Sequence, residues 1–180
     1  MSTSITMHHP PLAKRAMDAL LWTTQVLFGV FWSVTGFGKA CCIDLAVWNH
    51  MLPQVPWFAA VPRPLFVFIG VCEFLGGVGL ILPAMTGVKP KLTPIAAFGL
   101  ALIMIIAAVF HIVRGEYNFF LPGNLVLGGI TAFIGYERLF VRPIAPTPIS
   151  TFRALTGFVV LGALVFVGYA PVWYQLTHPH

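Results

Sequence analysis

The chain has 180 residues, a formal net charge of +5, and only 8% charged against 58% hydrophobic residues, with a mean hydropathy of +0.90. Water-soluble domains carry about a quarter charged residues, so a chain this poor in charge cannot cover a solvated surface. A soluble enzyme is excluded, and the basic excess needs no nucleic acid, because Lys and Arg collect in the cytoplasmic loops of membrane proteins.

Residues 1–15 are polar and proline-containing and read as a mobile cytoplasmic tail. The first span is expected from about Met17 to Phe37. It is too long for a signal-peptide core and lacks a small-residue cleavage pattern, so it is expected to be retained. Residues 38–63 form the longest connection, and Trp48, Trp57 and Phe58 suit it to the membrane interface. A second span is expected from Pro64 to Leu82, followed by a short link beginning at Pro83. A third runs from Pro94 to Val113. Pro122-Gly123 punctuates the connection to a fourth, Asn124 to Leu139. A proline-rich turn leads to a fifth, from Phe152 to about Gln175, ending or kinking at Pro171, with Trp173 and Tyr174 at the interface. The uncharged windows behind these spans, 20 residues between Asp18 and Lys39, 22 from Leu92 to Val113 and 20 between Glu116 and Glu137 among them, can each cross about 30 Å of hydrocarbon at about 1.5 Å per residue. The fold class is therefore all-α, a polytopic transmembrane helical bundle. Strands are excluded, because the windows lack the alternation a barrel requires.

The basic residues orient this arrangement. With the N-terminus inside, Lys14, Arg15, Lys89, Lys91, Arg138, Arg142 and Arg153 are cytoplasmic, and Lys39, Arg63 and Arg114 lie outside. The excess favours a cytoplasmic N-terminus and a periplasmic C-terminus.

Against this background Glu73 stands out. It lies about 15 Å beyond Arg63 at helical rise, near the bilayer midplane. A charge there costs a few kcal/mol on insertion scales, so the carboxyl either stays protonated or meets a cation. Gly70, Gly76 and Gly77, at offsets of three and four, share its face and admit a close neighbour, either a helix or a ligand. Lys39, His111, Arg63 and Arg114 are the candidate partners. All approach from the outer half, which implies a polar pocket opening outward. Three accounts stay open: a helix-to-helix contact for folding or assembly, a ligand or proton-linked site, and an incidental lipid or interface contact.

The remaining chemistry is sparse. Cys41 and Cys42 are adjacent, Cys72 is expected too deep to bridge to them, and no spacing suits a metal. His8, His9, His178 and His180 are in the tails, His50 reads as a loop residue, and Glu137 with Arg138 reads as a local interfacial ion pair. "GFGK" and "GGVG" lack the spacing of a phosphate loop.

Three stretches together carry a resemblance: "TGFGKA" at 35–40, "CEFLGGVGLILP" at 72–83, and "IIAAVFHIVRGE" followed by "NLVLGGITAFIGYERL". They resemble the DoxX-like family of small bacterial four-helix membrane proteins. The resemblance implies a four-helix core over residues 16–140 in the bacterial inner membrane, with 141–180 as a link and an additional helix. It implies a subunit or accessory of a membrane redox system, with Glu73, Lys39 and His111 as the ligand-binding or proton-linked residues. Gly70, Gly76 and Gly77 would line a pocket for a quinone or other lipophilic ligand. The partners implied are the lipid bilayer and other membrane subunits; the alternative is a non-enzymatic assembly or chaperone subunit.

Overall fold

The computed structural model describes residues 12–147 and 151–177; along the last helix, side chains are described at positions 155–157, 159–168 and 170. The expected tail up to residue 11, its histidines, His178 and His180, and the side chains of Trp173 and Tyr174 lie outside the described residues.

The first long helix, α1 (Leu12–Phe37), runs without a break into a π-helical turn, Gly38–Cys42. A short helix α2 (Leu45–Met51) and a 3-10 turn (Pro56–Ala60) follow. Then come α3 (Arg63–Thr86), α4 (Leu92–Val113), α5 (Phe120–Tyr136), a second π turn (Glu137–Val141) and α6 (Thr151–Thr177). There is no strand among the described residues. Among the described residues, three stretches are long and apolar enough to cross a membrane: Leu12–Cys42, Arg63–Thr86 and Leu92–Val113. The α5 helix, at 17 residues, is shorter, and α6 contributes the apolar stretch Leu155–Gly168.

The first helix begins at Leu12, so residues 12–15 of the expected tail are helical, and the last helix runs past Pro171 to Thr177 rather than ending there. Two further boundaries depart from the expectation at prolines. The α3 helix passes through Pro83 and stops at Thr86, where Gly87 adopts φ 69° and donates to the Pro83 carbonyl at 3.0 Å. Only glycine enters that left-handed conformation without strain, so Gly87 is the stop signal and Pro83 is not. Pro122 sits within the first turn of α5 rather than ahead of it; no intrahelical acceptor exists for a donor there, so its missing N–H costs nothing.

The long connection is more structured than a strip along an interface. Asp44 caps α2 by accepting from the Val47 amide at 2.8 Å. Trp48, Phe58 and Phe66 then pack with ring centroids 4.8 to 5.1 Å apart. The connection thereby folds back over the Phe66 end of α3.

Helix α3 is central and touches α1, α4 and α6, while α4 also pairs with α5. The buried face of α1 is Leu21, Gln25, Gly29, Trp32, Ser33 and Gly36, a stripe at three- and four-residue spacing. Glycines make the α1–α3 seam tight. A Cβ placed on Gly36 would overlap the Phe74 amide nitrogen, and one on Gly77 would lie 2.5 Å from the Ser33 amide nitrogen. The opposite faces are apolar and exposed, for example Leu102, Ile105, Ile106 and Val109 on α4 and Leu125, Val126 and Phe133 on α5. Faces of this extent suit lipid and do not suit water.

Candidate functional site

Glu73 faces inward from the middle of α3, with its side chain 1% exposed. The Lys39 ammonium donates to both carboxylate oxygens, each at 2.7 Å. An inward-facing position follows from the offsets of Gly70, Gly76 and Gly77, all of which are buried with Glu73. What brings Lys39 to it is the π turn. A π turn widens the helix by one residue, and here it presses Lys39 and Ala40 onto Gly70. A Cβ on Gly70 would come within 2.5 Å of the Lys39 Cβ and 2.8 Å of the Ala40 amide nitrogen.

The lysine also borders a cavity of about 320 Å³. Val34, Thr35 and Gly38 from α1 and its π turn, Ile43, Val47 and Met51 from α2 and the residues before it, and Trp57, Phe58 and Phe66 complete its wall. The Lys39 ammonium lies 5.9 Å from the centroid of the Phe66 ring. The cavity therefore combines an aromatic and aliphatic wall with one formal charge, already matched by Glu73 from behind.

The glycines expected to line a pocket do not line this one. Gly70 is filled by the π turn, Gly76 by Leu100 and Gly77 by Ser33; absent side chains here admit helices, and the cavity forms one layer further out. His111 is likewise apart from Glu73. It is buried, its Nδ1 lies 2.8 Å from Glu116 Oε2, and its ring stacks on Phe120 at 5.6 Å. The Trp57 ring, part of the cavity wall, stands edge-on to it at 6.2 Å. Arg114 Nε donates to Glu116 Oε1 at 2.8 Å, and Arg63 donates to the Ile43 carbonyl at 3.0 Å. Of the four expected partners, only Lys39 meets Glu73. The three cysteines are free, with Cys41 exposed and Cys42 and Cys72 half-buried. No cluster of metal-ligating side chains exists among the described residues.

The Glu116 turn makes a testable clamp. Hydrogen bonds from Arg114, and next from His111, hold the Glu116 carboxyl below the ordinary carboxylate range. A depressed native pKa means that the contribution is present above the unfolded-state value and is lost as pH falls through the native one. The protection of amides across residues 114–118, taken relative to their intrinsic exchange rates, is expected to fall as pH drops below about 4. Glu116→Gln is expected to remove that dependence.

A second buried polar centre lies at the other end of the α1–α3 seam and was not expected. Gln25, fully buried, donates from Nε2 to the Leu80 carbonyl at 2.6 Å and accepts from Arg138 Nε at 2.6 Å. The Arg138 guanidinium lies 4.6 Å from the Trp22 ring and is 6% exposed. The expected local Glu137–Arg138 ion pair at the interface is thus corrected. The second π turn points Arg138 inward, while Glu137 lies 3.6 Å from Arg142, which pairs with Asp18 at 3.1 Å. The available signal was Gln25 itself, a polar residue four before Gly29 on the buried stripe.

An ion pair of this kind, beside an apolar cavity, is able to hold a lipophilic molecule and offer it one hydrogen bond. No match to the chain was found among curated proteins or among solved structures. The model of the DoxX-like family matches residues 23–134, the stretch that holds Gln25, Lys39, Glu73 and His111. The chain is a membrane protein and belongs to the DoxX-like family.

Proposed function

We propose that this protein spans the bacterial inner membrane five times, with a cytoplasmic N-terminus and a periplasmic C-terminus, and holds a quinone or other lipophilic ligand beside Lys39. Residues 16–140 form the four-helix core, 141–180 add the link and a further helix, and residues 1–15 are a cytoplasmic tail. In this arrangement the cavity opens toward the periplasmic half, and the protein serves as a subunit or accessory of a membrane redox system. The observation that carries the reading is the Lys39–Glu73 pair at the wall of the 320 Å³ cavity. A buried ion pair is a poor device for stability alone, and intramembrane ionisable groups mark functional sites by default. His111, on the far side of Trp57 with Glu116, supplies a nearby proton acceptor.

The second reading is a non-enzymatic assembly or chaperone subunit, favoured by the broad apolar faces of α4 and α5. One comparison separates the two. Wild type and Glu73→Gln are purified gently, and the co-purified lipophiles and proteins are identified by mass spectrometry. A quinone-class molecule retained by wild type and lost from the variant is the expected result. No bound lipophile in either, with a partner protein lost from the variant, favours the assembly role.

A further inference from the structure

Resting on the reading of the cavity as a ligand site, we infer that Glu73 determines the charge of the ligand: the cavity takes a neutral lipophile bearing one hydrogen-bond acceptor and rejects a lipid carboxylate. The wall supplies apolar contacts from Val34, Ile43, Val47, Met51, Phe58 and Phe66. The Thr35 hydroxyl is engaged with the Phe31 carbonyl at 3.0 Å; Lys39 is the charged donor of the wall, beside the Trp57 indole N–H, which is buried without a partner. An ammonium carries three N–H groups; two are directed at Glu73, at 2.7 Å each, and one remains for a ligand.

The pair is neutral overall, and Glu73, 1% exposed, stands behind Lys39 out of a ligand's reach. A ligand carboxylate on the third N–H would gather two anions around one ammonium inside an apolar wall. Uncompensated charge in such surroundings is strongly disfavoured. An ester, ketone or quinone carbonyl accepts the same N–H and leaves the balance untouched. The volume, about 320 Å³, is at the small end for ligand sites, which suits one medium-length chain or a compact ring.

The test uses two probes that share a chain and differ in charge, methyl decanoate and decanoate, in equilibrium binding to the protein in zwitterionic nanodiscs. At about pH 8 the free acid is ionised. Wild type is expected to prefer the ester by about tenfold or more. In Glu73→Gln the Lys39 charge is no longer matched, and the preference is expected to invert by a similar factor. The Lys39→Met/Glu73→Gln double variant leaves no buried charge unpaired and keeps the comparison open where the single variant misfolds; it is expected to bind the ester weakly and the carboxylate not at all. Equal binding of both probes by wild type, or carboxylate binding by the double variant, overturns the inference and leaves the ligand site standing. Binding of neither probe, nor of a quinone, by wild type overturns the ligand site and the inference with it.

Discussion

Lys39→Met is expected to destabilise the protein by about 3–5 kcal/mol, the cost of removing one member of a buried ion pair. The physical reason is asymmetry. Glu73 is 1% exposed and has both oxygens committed to Lys39 at 2.7 Å. Without the ammonium the carboxylate is buried with neither water nor cation, or must take up a proton. Glu73→Gln is expected to cost less, because the amide still accepts from Lys39, which is 26% exposed and reaches the cavity. Lys39→Met/Glu73→Leu, which removes both charges, is expected to recover most of the loss. Unfolding in a mild detergent, followed by the change in midpoint, measures all three. A double variant no better than Lys39→Met alone would show that the pair is not the source of the cost.

Gly36→Val is expected to be comparably damaging, about 3 kcal/mol or more, at the high end for overpacking. Any Cβ at this position meets backbone: the Phe74 amide nitrogen, and the Gly70 carbonyl oxygen at 2.6 Å. Backbone cannot rotate away as a side chain does, so α1 and α3 must separate. That separation also withdraws Lys39, three residues after Gly36, from Glu73. The variant should therefore lose the Lys39–Glu73 pairing together with stability. Gly99→Ala is the control, since a Cβ at Gly99 meets nothing within 4 Å; it is expected to be neutral or slightly stabilising through helix propensity. Equal effects of the two substitutions would rule out close approach as the cause.

The two π turns explain where inference from the sequence stopped. Lys39 and Arg138 each occupy the second position of a five-residue π turn at a helix end, Gly38–Cys42 and Glu137–Val141. An α-helical reading leaves Lys39 at a span terminus and Arg138 at an interface. One additional residue per turn redirects Lys39 toward α3 and Arg138 toward α1, and no apolar period announces it. Pro83 and Pro122 misled for a related reason: proline ends a helix by default, but the decision belongs to the groups around it. At Pro83 the helix persists until Gly87 supplies the left-handed stop.

Much of the architecture needed only the order of residues. Uncharged windows long enough for hydrocarbon dictate helices, because backbone polar groups in lipid must be satisfied within their own segment. The spacing of Gly70, Glu73, Gly76 and Gly77 places one acid on a crowded inward face, and the scarcity of cations made Lys39 a candidate for it. The sequence alone was silent about which candidate would arrive and what would fill the space beside it. Helical spacing assigns residues to faces, whereas pairing depends on how closely two axes approach. Here the α1–α3 contact brings Lys39 to Glu73, the turn after α4 diverts His111 to Glu116, and Leu100 and Ser33 occupy the glycines. The cavity arises from chain folded back over the end of α3, a long-range packing event that no local period encodes.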